Sequence, residues 1–294
     1  MRIPSDWNPT NRAFREFYGW DDTLGQWNYD LVETKLHQKA AVHYYTNPHQ
    51  GDVKGTLFII HGYLEHTALR IPIIAQAVRH GWMVCGIDLI GHGLSTGKPA
   101  HIDDFDEYVV ALETALHYKA WPKPWRFAGH STGCAVELLY VAKHGNPFEW
   151  SLLEAPLVRT VLWKPSMVAK RLFKGAVNTL PRRNSGMSKK QTYYGLLKRD
   201  PLYLDKVPIS WFDALERYVA ATESWSRLPG SFLILQGDMD TVVDWPYNVE
   251  FLQNHIEQPQ IEMIRGGKHH LLRDEGPSGD QARRVVLNHW YGMM

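Results

Sequence analysis

The chain of 294 residues lacks several features that would assign it to a specialised class of protein. Its two cysteines, Cys85 and Cys134, lie in apolar segments and lack metal-site spacing, so we expect no disulfide framework and predict a reducing compartment. No run of 18 apolar residues could span a bilayer, and the first residues lack the apolar core of a signal peptide. We therefore expect a soluble, cytoplasmic protein.

The chain also lacks an excess of either charge, since 32 Lys and Arg residues oppose 31 Asp and Glu residues. The charge is unevenly distributed, however, because residues 159–206 contain twelve basic residues and only two acids, Asp200 and Asp205. A nucleic-acid partner is not expected, because this basic segment comes without a recognisable nucleic-acid-binding fold. No internal repeat or low-complexity tract is present, which excludes solenoid and disordered classes.

What the sequence does contain is a series of short apolar runs with the length of buried strands. Such runs are typical of parallel strands covered by helices on both faces of a sheet. They are residues 56–62, 82–90, 125–130, 150–156, 231–238 and 261–267. Residues 31–45 alternate imperfectly and predict antiparallel edge strands, while Asp103 is the predicted N-cap of a helix over the residues that follow it. The pattern predicts an α/β protein with a mostly parallel sheet.

The alternation of strands and helices is interrupted over residues 157–225. Prolines at 165, 181, 201 and 208 would interrupt any long helix there, and no central strand is evident. We interpret residues 157–225 as a helical cap inserted into a single domain that comprises residues 1–294.

Part of this cap has the pattern of a basic amphipathic helix, over residues 163–180. The apolar positions would be Val168, Ala169, Leu172, Phe173, Ala176 and Leu180, opposite Lys164, Lys170, Arg171 and Lys174. Such a face could contact an anionic membrane surface and collect a lipid substrate. The alternative is that the apolar face covers the active site while the basic face lies in solvent.

The sequence Gly129-His130-Ser131-Thr132-Gly133 lies between an apolar run and a segment with helical spacing. A tight strand-turn-helix junction strains the backbone of its middle residue, and flanking glycines let the neighbouring elements approach. The alternative is a serine in an ordinary βα turn. A serine nucleophile needs a histidine base and an acid that orients it. Candidates follow the last two predicted strands, namely Asp238, Asp240, Asp244, His269 and His270.

Four motifs in this order resemble the α/β-hydrolase superfamily, and within it the group of monoacylglycerol lipases and bacterial lysophospholipases of the serine aminopeptidase type. HGYLEH (61–66) resembles HGxGEH, DLIGHGLSTG (88–97) resembles DxxGHGxSxG, and GHSTG (129–133) resembles the nucleophile elbow. GDMDTVV (237–243) and GGKHHLL (266–272) resemble the acid and base loops. The resemblance implies an α/β-hydrolase fold with an inserted cap. It also implies hydrolysis of carboxylic esters, such as monoacylglycerols or lysophospholipids, through an acyl-enzyme and without a cofactor.

The resemblance also implies a role for individual residues. Ser131 would be the nucleophile, and Asp240 the acid, because it occupies the family's GxxDxVV position. His269 would be the base, because it fits Gly-x-x-His-x-Leu, although His270 remains an alternative. Two backbone N–H groups, those of Tyr63 and Thr132, would form the oxyanion hole.

One residue departs from the family's pattern. Leu64 replaces the second glycine of HGxG, which puts the shape of this loop in question. Three other histidines, His61, His66 and His92, are interpreted as structural.

Other functions of the same fold stay open on the sequence alone. An aminopeptidase or a carbon–carbon bond hydrolase would use the same three residues, and a protein that binds ligands without turnover is a further alternative. A dehalogenase is disfavoured because position 131 is not an aspartate. A metal is not expected from the adjacent histidines, since no HExxH or Cys/His spacing accompanies them.

Overall fold

A computed structural model describes residues 4, 6–47, 51–172, 178–182 and 192–291 of the chain. The strands in these residues are β1 Gln26–Glu33, β2 Lys39–Thr46, β3 Thr56–Ile60, β4 Met83–Asp88, β5 Trp125–His130, β6 Trp150–Glu154, β7 Thr179–Pro181, β8 Lys206–Pro208, β9 Leu228–Gly237 and β10 Ile256–Ile264. The α-helices are α1 Arg12–Phe17, α2 Ile71–Arg79, α3 Asp106–Tyr118, α4 Thr132–His144, α5 Trp163–Leu172, α6 Thr192–Arg199, α7 Ile209–Thr222, α8 Trp245–His255 and α9 Pro277–Tyr291. Short 3-10 helices cover Asp22–Leu24, Thr67–Arg70 and Leu271–Arg273.

Within these residues, the main sheet has eight strands in the order β1-β2-β4-β3-β5-β6-β9-β10. Strands β1, β2 and β4 pair antiparallel, and every other pairing in this sheet is parallel. Both expectations for the sheet are therefore confirmed, the mostly parallel centre and the antiparallel strands at one edge. Because β3, β5, β9 and β10 run in the same direction, the loops that follow them meet at one edge of the sheet.

The sheet is buried on both faces by separate apolar layers. Successive residues of β3 alternate between them, with Phe58 and Ile60 in one layer and Leu57 and Ile59 in the other. Helices α3, α4, α7 and α8 cover the first layer, and α1, α2, α6 and α9 cover the second. This two-sided burial explains why the central strands are continuous apolar runs in the sequence.

The predicted strand positions are confirmed, and the largest errors in their limits, five residues each, are at the starts of β1 and β10. Strand β10 begins at Ile256, five residues before the predicted start, and ends at Ile264. Its first half, which includes Pro259, is largely exposed because β10 is an edge strand. A search for continuous apolar residues therefore misses it.

The predicted N-cap of α3 is wrong. The helix begins at Asp106, with Phe105 rather than Asp103 at the N-cap position. The carboxylate of Asp104 accepts a hydrogen bond from the Asp106 N–H at 3.0 Å, while the Asp103 N–H donates to the side chain of Glu107 at 2.6 Å. Several acids in a row satisfy the same sequence rule, so spacing alone does not select among them.

Between β6 and β9 the chain forms α5, β7, α6, β8 and α7. The amphipathic helix predicted over residues 163–180 is wrong at its end, because residues 179–181 form β7 and pair antiparallel with β8. Pro181 disfavours helical geometry at the preceding residue, Leu180. Val168, a member of the apolar face for which membrane contact and covering of the active site were the two alternatives, is 56% exposed. Residues 173–177, and the predicted face formed by the side chains of 169–172, lie outside the described part of the chain.

Candidate active site

A cavity of about 580 Å³ lies at the carboxyl edge of the sheet, between the loops that follow the parallel strands and the segment that connects β6 to β9. The sheet side contributes Tyr63 after β3, Ser131 and Thr132 after β5, and His269 after β10. The connecting segment contributes Leu180, Arg182, Val207, Trp211 and Phe212. The predicted nucleophile, base and oxyanion donors therefore line one cavity.

Ser131 occupies the sharp junction between β5 and α4. Its backbone has φ 51° and ψ −109°, in the positive-φ range that residues with a side chain rarely adopt. The glycines on either side are needed for close contact, because a Cβ on Gly133 would lie 2.3 Å from the Ile60 carbonyl oxygen and one on Gly129 would lie 2.8 Å from the Cys134 nitrogen. The junction has the strained geometry expected of a nucleophile elbow.

His269 and Asp240 form a buried pair. The His269 Nδ1 donates to Asp240 Oδ2 at 2.8 Å. The other carboxylate oxygen accepts from the backbone N–H groups of Val242 and Val243 at 2.7 and 3.3 Å. Burial favours the neutral forms, but the charge of each partner and the hydrogen bonds together outweigh it, so the pKa of Asp240 lies below its usual value and that of His269 above.

The other two acids of this region have different partners. Asp238 accepts a hydrogen bond from the Gly266 N–H at 2.7 Å, which joins the acid and base loops. Asp244 precedes α8 and pairs with Arg159 at 2.8 Å. Of the three candidate acids, Asp240 is the one that the structure brings to His269.

His270, the alternative base, points away from this pair. Its Nδ1 lies 3.4 Å from Glu65 Oε1, and burial lowers the pKa of His270 well below its usual value. His61 donates through Nδ1 to the Gly62 carbonyl at 2.7 Å and accepts from the Leu89 N–H at 3.0 Å. Burial lowers the pKa of His61 to about 4 and that of His92 to about 3, so both are neutral near pH 7.

The backbone N–H groups of Tyr63 and Thr132 donate to no protein acceptor among the residues that the structure describes. The Tyr63 hydroxyl donates to the Ala100 carbonyl at 2.7 Å, and its ring stacks on Trp211 at 4.0 Å. Leu64 has φ 61°, the left-handed conformation that glycine adopts without strain. The loop therefore adopts a glycine-type backbone despite the substitution.

A buried carboxylate that the sequence analysis did not single out joins the loops behind the cavity. Glu65 accepts from the Gly62 N–H at 3.1 Å, from His130 Nδ1 at 3.0 Å and from the Tyr193 hydroxyl at 2.8 Å. His130 Nε2 lies 3.1 Å from the His269 carbonyl oxygen. The two ring nitrogens of His130 therefore lie between the Glu65 carboxylate and the loop of His269.

A second buried carboxylate, Glu154 at the end of β6, connects Ser131 to the loop of His269. Its carbonyl accepts from the Ser131 N–H at 2.9 Å, and its side chain accepts from the Leu272 N–H at 2.9 Å. Arg70, which is also buried, donates to the same carboxylate. Glu65 lies in a motif of the sequence, but its partners lie far along the chain, and no local pattern identifies Glu154.

Glu65, His130 and His270 offer ligand atoms within 4.8 Å of one another, which makes them the described side chains most suited to hold a metal ion. The Glu65 carboxylate already accepts three protein hydrogen bonds. The expectation that the protein needs neither metal nor cofactor stays a prediction.

The sequence model of the serine aminopeptidase S33 family matches residues 51–276. The chain belongs to this family. It is 26% identical to the monoglyceride lipase of Rattus norvegicus over 251 residues, which cover 82% of this chain and 83% of the relative. It is also 26% identical to phospholipase YtpA of Bacillus subtilis over 201 residues, covering 64% and 76% of the two chains.

The fold has a close counterpart among solved structures. A soluble variant of monoglyceride lipase from Saccharomyces cerevisiae in complex with a substrate analog superposes with a TM-score of 0.74 at 15% identity. The match covers 92% of this chain and 97% of that one. The predictions of an α/β-hydrolase fold and of a carboxylic ester hydrolase are thus confirmed at the level of fold and enzyme class.

Proposed function

We propose that this family member cleaves carboxylic esters through an acyl-enzyme formed on Ser131. The observation that carries the proposal is that Ser131, held in a strained turn, lines the same cavity as the Asp240-bonded His269. The Ser131 hydroxyl oxygen attacks the ester carbonyl carbon while His269 accepts the hydroxyl proton. His269 then returns this proton to the departing alkoxide, and water releases the acid by the same two steps.

Asp240 and two backbone groups support these steps. The carboxylate of Asp240 fixes the tautomer of His269 and stabilises the imidazolium that forms after proton transfer. The N–H groups of Tyr63 and Thr132, which have no protein acceptor among the described residues, would donate to the oxyanion. A donor of this kind contributes about 3 to 4 kcal/mol to the transition state.

The favoured substrates are monoacylglycerol-like or lysophospholipid-like esters. The cavity is lined mainly by apolar side chains, which suits an acyl chain. An aminopeptidase would have to bind the free ammonium of its substrate, and none of the described residues that line the cavity is an acid. We propose that residues 157–225 form the cap of a single domain and cover this pocket.

We also propose peripheral contact between the cap and an anionic membrane, for a protein that resides in the cytoplasm. Leu162, Val168 and Leu180 are 72%, 56% and 40% exposed, and Lys164 lies among them in the sequence. Exposed apolar side chains beside basic ones are the usual composition of a membrane-contacting surface. No helix in the described part of the chain is long and apolar enough to span a bilayer.

The nucleophile is tested by labelling with a fluorophosphonate probe and mapping the modified peptide. We expect label on Ser131, and loss of both label and ester hydrolysis in Ser131→Ala. Ser166→Ala is the matched control, because Ser166 lines the same cavity. We expect this variant to keep the label on Ser131. Label elsewhere, or full activity in Ser131→Ala, would refute the mechanism. Turnover of an aminoacyl amide without ester hydrolysis would instead favour an aminopeptidase.

A further inference from the structure

Arg182 differs chemically from the other described residues of the cavity wall. Those residues are apolar, hydroxyl-bearing, glycine or histidine, and Arg182 is the only permanently charged side chain among them. It directly follows β7 in the cap. A cation in a mainly apolar cavity is costly unless an anion compensates it.

The guanidinium is held close to the reaction site. Its Nη1 donates to the Leu64 carbonyl at 2.9 Å and, at 3.4 Å, to the Leu204 carbonyl, and the group lies 4.8 Å from the centre of the Tyr203 ring. Leu64 directly follows Tyr63, whose N–H is the proposed oxyanion donor. Arg182 is therefore anchored one residue from the group that would contact the scissile ester.

The protein contacts described for Arg182 leave its charge without a carboxylate partner. Asp205 lies beside it, just beyond the last pair of the β7–β8 ladder, but accepts the Arg182 backbone N–H through its own backbone carbonyl at 2.8 Å and forms no ion pair with it. The two groups that accept hydrogen bonds from the Arg182 side chain are backbone carbonyls, and a neutral donor could bond them equally well. Nε and Nη2 have no acceptor among the described residues and are available for a bidentate contact.

We infer that Arg182 forms a subsite for an anionic group on the substrate, a phosphate or a carboxylate placed near the scissile ester. This inference rests on the proposed ester hydrolysis and makes it specific, because it favours a lysophospholipid-like ester with an anionic head group over a neutral monoacylglycerol. The planar guanidinium suits either oxyanion, since two parallel N–H groups can bond two oxygens at once. A lysine in its place would keep the charge and lose this geometry.

The test compares three soluble esters that share one acyl chain. They are 1-hexanoylglycerol, its 3-phosphate, and the analogue in which a carboxylate replaces the 3-hydroxymethyl group. We expect kcat/KM of the native enzyme to be at least about tenfold higher for one of the two anionic esters than for the neutral one, which corresponds to about 1.4 kcal/mol. The preferred anion distinguishes a phosphate subsite from a carboxylate subsite.

In Arg182→Gln we expect the ratio of anionic to neutral kcat/KM to fall about tenfold or more, with most of the change in KM. Arg182→Lys should retain part of the ratio. Arg199→Gln is the control, because it removes one positive charge from the cap at an exposed residue that does not line the cavity. An unchanged ratio in Arg182→Gln, or an equal loss of rate on all three esters, would overturn the subsite and leave Arg182 a structural clamp.

A binding measurement separates this inference from the proposed function. The ether analogues 1-hexylglycerol and 1-hexylglycerol 3-phosphate cannot be cleaved, and their affinities are measured by calorimetry on the same variants. If no ester is cleaved but Arg182→Gln selectively weakens the phosphate ether, the proposed function fails and the anion subsite stands. Equal affinities for both ethers in the native protein, with no anion preference in catalysis, would exclude the subsite.

Discussion

Gly133→Ala perturbs the contact on which the position of the nucleophile depends. Gly133 is the second residue of α4, and its backbone φ lies outside the left-handed range, so alanine is compatible with its local conformation. The obstacle is space, because the new Cβ would lie 2.3 Å from the Ile60 carbonyl oxygen and 2.9 Å from that of His61. Both obstructing atoms belong to backbone, which cannot rotate away as a side chain could.

The size of the expected effect follows from these distances. A carbon and an oxygen atom need about 3.5 Å, so the start of α4 must move from β3 by about 1 Å. Overpacking of this kind costs about 1 to 3 kcal/mol of folding free energy. A displacement of about 1 Å between reacting groups lowers the rate by about 10²-fold. Ser131 and the Tyr63 loop lie on opposite sides of this contact. We therefore expect Gly133→Ala to lower both the folding free energy and the rate of hydrolysis.

Gly195→Ala is the matched control. Gly195 lies within α6, has no described heavy atom within 4 Å of its added Cβ, and has no positive φ. The same methyl group should stabilise the protein there by about 0.5 to 1 kcal/mol and leave hydrolysis unchanged. Stability is measured by urea denaturation, and kcat with a soluble hexanoyl ester. Gly133→Ala with native stability and native kcat would show that the contact with β3 does not position the nucleophile.

Three further predictions concern the acid, the pH dependence and the cap. Hydrolysis should decline as the pH falls, with a midpoint on the alkaline side of the ordinary histidine pKa, because Asp240 raises the pKa of His269 and only neutral His269 accepts a proton. A midpoint below that value in a pH–rate profile would contradict this. Asp240→Asn should lower kcat by about 10³- to 10⁴-fold and move the midpoint to lower pH, whereas Asp238→Asn should have a far smaller effect. Val168→Asp places a negative charge on the exposed face of α5 and should lower the affinity for anionic vesicles, measured by sedimentation, about tenfold, with no change in the rate on a soluble ester. Unchanged sedimentation would exclude membrane contact through α5.

Much of the fold was predictable because a strand that is buried on both faces of a sheet appears in the sequence as a continuous run of apolar residues. Central strands such as β3, in which all five residues are buried and four are apolar, consist mainly of continuous apolar residues. The edge strand β10 lacks such an apolar run, because many of its residues are exposed and can be polar. The position of Asp240 was predictable for a different reason, namely the resemblance of residues 237–243 to the family's GxxDxVV motif. In the structure its carboxylate accepts from the backbone N–H groups of Val242 and Val243.

The parts that sequence reasoning missed depend on partners far along the chain. Glu65 bonds Tyr193, 128 residues away, and His66 bonds Asp200, 134 residues away. Arg182 reaches across 118 residues to Leu64. Local periodicity in the sequence does not indicate such long-range pairs. The sequence of a basic segment is also compatible with arginines that face solvent and with arginines that face a cavity. The helix predicted through residue 180 is wrong at its end, where residues 179–181 form β7 and Pro181 disfavours helical geometry at residue 180.

Two buried carboxylates explain how three separate loops hold one geometry. Glu154 joins the Ser131 N–H to the Leu272 N–H, three residues beyond His269, and thereby links the nucleophile loop to the base loop. Glu65 joins the loop of Gly62 to His130, which in turn bonds the His269 carbonyl. Glu154 has the buried Arg70 as its cationic partner, and Glu65 accepts three hydrogen bonds, so neither carboxylate is left without partners. Because these bonds connect loops of the sheet directly, the relative position of the proposed nucleophile and base is set beneath the cavity. Tyr193, in the proposed cap, bonds the same Glu65 carboxylate and so ties the cap to this network.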